Sequence, residues 1–336
     1  MSVKKMRAAV LYDVDDIRIE DRDVPRPGDG ELLVQTRASG ICTGDIMAWY
    51  VRRKAPLVLG HEPAGVVAAT GPGVAEFSKG DRVFVHHHAP CFDCRMCARG
   101  DYVQCATWRQ TAIDPGGLAE FFRVPAQNVR DTLRLPEHVP FVDASLVEPL
   151  ACVVKSLRRS GVRDGESLHV LGLGVMGLMH ALVALSRGVR VTGSDPIASR
   201  RENAQRLGVQ TVQPPQRPPA ADVVICGPGT PEALRDAFAA AAPGGTVVMF
   251  TPLEPGVPFT LDANDLYFRD VRLVPSYSCG PQDTREALEL IAGGVVTAQR
   301  LGATLYSLEE APQAYAALRS SSILKPIVTF EPSLFG

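Results

Sequence analysis

The stretch LHVLGLGVMGLMHALVALSRGVRVTGSD, residues 168–195, decides the fold class. Residues 168–171 form a short apolar run of strand length, after which Gly172, Gly174 and Gly177 fall in a G-x-G-x-x-G pattern. Leu178, Leu182 and Leu185 continue at helical spacing, residues 189–192 supply a second strand, and Asp195 follows about 20 residues after the motif. Strand, helix, strand and acid in this order predict a dinucleotide-binding unit. Gly172 permits the tight turn, Gly174 lets the backbone approach a pyrophosphate, and Gly177 lets the helix pack closely on its strand. Val175 and Met176, between the last two glycines, open that helix and complete the predicted phosphate cradle. At the end of the second strand Asp195 is placed to accept hydrogen bonds from ribose hydroxyls and to repel a 2'-phosphate, which selects NAD. Arg200 and Arg201 leave NADP as the alternative. No Lys, Arg, Asp or Glu occurs in residues 168–185, about the minimum length of a spanning helix. His169, His180 and the three glycines of the motif favour strand, turn and buried helix instead.

The same style continues on the carboxyl side. Residues 222–226, 246–250 and 271–274 are short apolar runs bounded by Gly or Pro, as expected of parallel strands covered on both faces, with a helical pattern over 231–242. QPPQRPP, residues 213–219, cannot be helical, because its prolines lack donors and clash with the preceding turn. Residues 7–124 differ: many short apolar stretches separated by Gly and Pro predict a β-rich domain. Two domains suit a chain of 336 residues. The 35 Lys+Arg against 37 Asp+Glu give a formal charge of -2, which argues against a nucleic-acid partner. The apolar stretch near the amino end is too short for a signal h-region; no membrane partner and a cytoplasmic location are expected.

Four of the eight cysteines, Cys91, Cys94, Cys97 and Cys105, read C-x2-C-x2-C-x7-C. Four soft thiolates in one short loop can close a tetrahedron around zinc with no open position, which predicts a structural ion. Two disulfides conflict with a reducing compartment, and an iron-sulfur cluster usually spaces its fourth cysteine differently. His86, His87 and His88 precede this loop. Adjacent side chains on an extended segment alternate faces, so the three cannot converge on one ion, and a solvated strand end is the expectation. Elsewhere ICTGD carries Cys42 and Asp45, LGHEPAG carries His61 and Glu62, and VEPLACVV carries Glu148. Cys, His and Glu suit a second zinc with an exchangeable position.

Taken together, Cys42, the Gly60-His61-Glu62 motif, the four-cysteine lobe, GGLAEFF at 116–122, the Glu148-Pro149-Leu150 segment and the central dinucleotide motif resemble the zinc-dependent medium-chain dehydrogenase/reductase superfamily. Glu62 after His61 and Glu148 in E-P-L resemble its polyol (sorbitol)/threonine dehydrogenase-like branch. The resemblance implies an α/β protein. A GroES-like β-rich catalytic domain would comprise 1–151 and 282–336, with a zinc lobe at 86–108, and a Rossmann doubly wound parallel-sheet domain would span 152–281, with the active site in the cleft between them. It further implies that Cys42, His61 and Glu62 ligate a catalytic zinc, that Glu148 binds it directly or through water, and that Asp45 orients His61. The expected complement is two zinc ions per chain and NAD, with a small-molecule alcohol or ketone as substrate and a homodimer or homotetramer as assembly. The function implied is hydride transfer between NAD and a secondary alcohol of the polyol, sugar or amino-polyol class. A non-catalytic zinc- and NAD(H)-binding redox sensor is the alternative. Many relatives carry a hydroxyl residue two positions after the first ligand and often a histidine slightly further on, where this chain has Gly44 and Met47, so the proton route must differ. Water in the space Gly44 leaves, the Thr43 hydroxyl and a carboxylate are the candidates; Thr43 would point away from the ligand side, and Glu148 is expected to serve as mobile ligand and as acid/base through one water, because Pro149 pushes the backbone before it out of the helical region. Trp49, Tyr50, Trp108 and Tyr277 are candidate pocket aromatics.

Overall fold

The computed structural model describes residues 5–330. It divides into two compact units, one running over Cys152–Ser278 and the other taking the described residues on either side. The central unit is a six-stranded sheet in the spatial order Gln210–Val212, Arg190–Ser194, Ser167–Leu171, Ala221–Cys226, Ala241–Met249, Arg272–Pro275. Every neighbouring pair is parallel. Numbered along the chain within this unit, the order is 3-2-1-4-5-6, the doubly wound arrangement whose strand order reverses beside the first strand. Leu168, Val170, Val224, Ile225, Val247 and Val248 are buried, which is why these strands read as continuous apolar runs. Helices Val175–Ser186, Ala198–Arg206, Pro231–Ala240 and Ala263–Arg269 alternate with the strands, but no helix separates Val212 from Ala221. The proline-rich segment crosses there as an irregular connection.

The outer unit is β-rich, as the resemblance implies. Its larger sheet runs Thr304–Tyr306, Pro326–Thr329, Leu32–Gly40, Glu62–Thr70, Arg82–Phe84, Leu133–Arg134, with Phe121–Val124 also paired to Leu32–Gly40. Pro326–Thr329 lies antiparallel to Leu32–Gly40, so residues from both sides of the central unit complete one sheet. A three-stranded sheet of Asp16–Asp23, Lys5–Asp13 and Leu57–Val58 packs beside it around Leu11, Ile41, Leu59, Leu118 and Tyr315. Among the described residues no helix is long and apolar enough to cross a membrane.

Two histidines explain the charge-free run at 168–185. The register sets His169 opposite Thr192, and its ring nitrogens lie 2.8 Å from Thr192 Oγ1 and 3.1 Å from Ser194 Oγ. His180 Nδ1 donates to the Met176 carbonyl at 2.7 Å, and Nε2 meets the Ser156 hydroxyl. Burial pushes both imidazoles down from 6.5 to about 4, so they are neutral in the folded unit. Between these values the unfolded chain takes up protons that the folded unit refuses. Stability is therefore complete above pH 6.5 and erodes as the pH falls toward about 4, by at most about 3 kcal/mol per histidine. The thermal midpoint of this unit should fall over that window, and His169→Gln combined with His180→Gln should flatten the decline. An equally steep decline in the double variant would assign the acid sensitivity elsewhere.

Candidate metal centres and nucleotide site

The four-cysteine loop folds around its sulfurs. Cys91 and Cys97 Sγ lie 3.8 Å apart, Cys94 and Cys97 3.6 Å, and Cys105 and Cys91 3.6 Å. Zinc–sulfur bonds of about 2.3 Å at tetrahedral angles put sulfurs about 3.8 Å apart, whereas a disulfide needs about 2.05 Å. None of the eight cysteines is in a disulfide, and this set therefore fits zinc. Backbone amides of Cys94 and Asp93 point at Cys91 Sγ from 3.3 and 3.5 Å and draw that thiol below its usual range. Trp108, expected as a pocket aromatic, is 2% exposed and packs with Val103 and Tyr102 in the core of this lobe. Trp49 and Tyr50 instead stack edge to face, with Arg53 over both rings.

The second set assembles from three places. Cys42 precedes a 3-10 turn, Thr43–Ile46, and its Sγ accepts from the Gly44 amide at 3.3 Å. His61 Nδ1 stands 3.6 Å from Asp45 Oδ1, while Tyr315 Oη donates to Asp45 Oδ2 at 3.4 Å. Glu62 opens strand Glu62–Thr70, fully buried, and pairs through Oε2 with Lys325 Nζ. Lys325 Nζ also donates to the Ile41 carbonyl at 3.1 Å. The neighbouring strand makes room for this pair with Gly40, where a Cβ would sit 1.9 Å from Glu62 Oε2. Ligand atoms of Cys42, His61 and Glu62 lie within 4.8 Å of one another, and Glu62 Oε1 is buried without a hydrogen-bond partner. Burial alone would push His61 down, but Asp45 and Cys42 hold it well above its usual range. The surroundings thus favour positive charge at this spot, and a soft–borderline S, N, O donor set with an unsatisfied carboxylate oxygen fits a zinc ion. Sequence reading missed Tyr315 and Lys325: an ordinary helix tyrosine and strand-flanking lysine carry no local signal, and each acts on a residue more than 260 positions away.

Glu148 has a carboxyl oxygen within 4.8 Å of Cys279 Sγ, and its charge acts on His61. The expectation that Pro149 displaces its backbone is corrected: both residues lie in the first turn of helix Val147–Ser160, where proline's missing N–H costs nothing. Burial raises the Glu148 carboxyl to about 8, with Cys279 adding to the shift. The histidine run also needs correction. It does not converge on one ion, but neither is it a solvated strand end. His86 is fully buried, with Nδ1 2.7 Å from Asp131 Oδ2 and Nε2 3.5 Å from Cys279 Sγ. The His87 ring lies 5.0 Å from that of His61, and His88 packs on Trp108 while its Nδ1 bonds the Thr111 carbonyl.

In the central unit, Gly172 has φ +89° and a Cβ on Gly177 would lie 1.9 Å from the Gly172 carbonyl oxygen. A Cβ on Gly174 would meet nothing nearer than Arg200 Nη1 at 4.0 Å, open space at the amino end of the helix that Val175 and Met176 begin. Asp195 is 2% exposed and no surface turn residue: Oδ2 accepts from Leu173 N and Oδ1 from Ile197 N, both at 2.9 Å. Arg200 Nη1 stands 3.5 Å from Asp195 Oδ2, while Arg201 is spent on the carbonyls of Asp195 and Pro196.

Residues 28–137 match the alcohol dehydrogenase GroES-like domain, and residues 175–293 match the zinc-binding dehydrogenase family. L-threonine 3-dehydrogenase from Pyrococcus horikoshii is 35% identical over 73% of this chain and 74% of its own length. D-xylulose reductase A from Aspergillus oryzae is 28% identical over 95% of each chain. Among solved structures, a protein from Sinorhizobium meliloti 1021 bound to NADP superimposes with a TM-score of 0.87 at 29% identity, covering 97% of this chain and 100% of that one.

The buried Glu62–Lys325 pair yields a stability prediction. Lys325→Met leaves a carboxylate without its cation and should cost about 3–5 kcal/mol in denaturant unfolding. Glu62→Gln in the same chain should recover part of that loss; an unchanged midpoint in Lys325→Met would remove the pair from the account.

Proposed function

Because the chain belongs to the zinc-dependent medium-chain dehydrogenase/reductase superfamily, in its polyol (sorbitol)/threonine dehydrogenase-like branch, we propose that it moves hydride between NAD and a secondary alcohol of the polyol, sugar or amino-polyol class. The observation that carries this reading is the buried Glu62 carboxylate, grouped with Cys42 and His61 and with its Oε1 left without a hydrogen-bond partner. Bound there, zinc would supply a Lewis acid for the alcohol oxygen, and the nicotinamide the hydride acceptor. Cys42, His61 and Glu62 would hold the ion, Asp45 would keep His61 in its ligating orientation, and the Cys91/Cys94/Cys97/Cys105 set would hold a second, structural ion. The outer unit is then the catalytic domain and the central unit the nucleotide-binding domain.

Gly44 and Met47 offer neither hydroxyl nor imidazole. Glu148, with a carboxyl raised to about 8, can take or give a proton near neutral pH and is the proposed acid/base. The cradle of Gly172, Gly174, Val175, Met176 and Gly177 would face the pyrophosphate, with Asp195 and Arg200 at the adenosine end. Asp195, held by two backbone amides, supports NAD over NADP. The polyol class is supported by the names of the fungal and archaeal relatives, whose substrates carry neighbouring polar groups. A sensor without turnover is set aside, since relatives matched along most of the chain are enzymes. Tyr267 and Phe268, 76% and 75% exposed, stand beside the edge strand Arg272–Pro275 and support a homo-oligomer. Eight cysteines outside any disulfide suit the cytoplasm.

Metal analysis of the isolated protein should give two zinc ions per chain, and Cys42→Ser should leave one while lowering NADH formation on polyols at least about 100-fold. Full turnover in the one-zinc variant would overturn the catalytic assignment. Asp195→Asn should shift the NAD/NADP ratio of kcat/KM toward NADP at least about tenfold. Wild-type preference for NADP would show instead that Arg200 outweighs Asp195.

A further inference from the structure

The histidine run and a cysteine that the proposed chemistry does not use meet inside the outer unit. We propose that His86, Cys279 and Glu148 form an additional site for a thiophilic divalent cation, distinct from the Cys42 set and from the four-cysteine lobe. His86 Nδ1 faces Asp131 Oδ2 at 2.7 Å, which fixes the ring and turns Nε2 the other way, where a cation would take the place of its proton. That Nε2 lies 3.5 Å from Cys279 Sγ. Metal–nitrogen and metal–sulfur bonds of about 2.05 and 2.3 Å at a tetrahedral angle span about 3.5 Å, the edge that two ligands of one ion present. The third donor is the Glu148 carboxyl, with an oxygen within 4.8 Å of Cys279 Sγ. His86, Asp131 and Cys279 are 0% exposed and Glu148 is 5% exposed, so the donors are held by packing.

Binding displaces the proton shared by Cys279 and His86 and the proton of the Glu148 carboxyl, both of which leave to solvent; no oxidant or reductant is involved. The site differs from the other two in its demand on Glu148. A carboxylate held by this ion is withdrawn from the acid/base role proposed above, so occupancy inhibits. The ion is accordingly an inhibitory one, taken up from excess metal after the two resident sites are filled. Only this last consequence rests on the proposed role of Glu148; the binding itself does not.

The test titrates zinc-loaded holoenzyme with Cd²⁺ and counts metal per chain, while following thiolate-to-cadmium absorption in the ultraviolet. Wild type should take up one further equivalent and release about two protons near neutral pH. Cys279→Ala and His86→Ala should lose that equivalent with circular dichroism unchanged, and Asp131→Asn should weaken it about 10–100-fold. Cys42→Ser should keep it, which separates failure of this site from failure of the catalytic one. Inhibition by added Cd²⁺ should disappear in Cys279→Ala. Uptake that stops at the resident ions in wild type, or a further equivalent that survives Cys279→Ala, would overturn the proposal.

Discussion

A buried carboxylate cannot be left to itself, and Glu62 is where this chain meets that constraint. Its carboxylate is fully inside, and desolvating a charge costs several kcal/mol unless partners surround it. One oxygen is answered by Lys325, which reaches in beside strand Pro326–Thr329, and the other is left toward Cys42 and His61. The backbone conforms to this. Gly40 gives up its side chain so that the pair can sit against the opposite strand. The outer sheet closes with a strand from the far side of the central unit because the lysine has to arrive with it.

The central unit was legible because its information is local. Gly172 needs its positive φ and Gly177 its missing Cβ within a few residues of one another, and both signals sit in one short word of sequence. The four cysteines were legible for the same reason, their spacing being that of sulfurs around one ion. The Cys42 set was legible only in combination, since no spacing relation connects residues 42, 61 and 148. What supports that set was not legible at all. Tyr315 and Lys325 act across the sheet, and nothing beside them in sequence distinguishes them from core filler and surface charge.

The histidine run shows the opposite error. Reading 86–88 as a strand end was right about alternation and wrong about environment. Three polar side chains next to an apolar strand suggest solvent only if nothing polar waits inside, and here Asp131 and Cys279 do. The pattern tells which residues share a face; it does not tell what that face meets. Glu148 makes the same point. Proline's push on its predecessor is a preference and not a prohibition, and in a first turn, where no N–H is lost, the helix holds Glu148 in spite of it.

The route of residue 325 into the outer sheet bears on how the molecule is made. The central unit is encoded without interruption, and its parallel strands pair within about 130 residues of chain, so it can fold as soon as those residues have left the ribosome. The outer unit is in a different position. Its first strands appear early, but the charge on Glu62 has no counter-ion until Lys325 has been translated, some 263 residues later. During that interval the early half must wait as an incomplete sheet with an unpaired edge at Ala38–Gly40, the kind of edge that invites wrong pairing. Synthesis thus sets an order of assembly in which the inserted unit matures first and the outer unit, which holds Glu62 and Lys325, matures last.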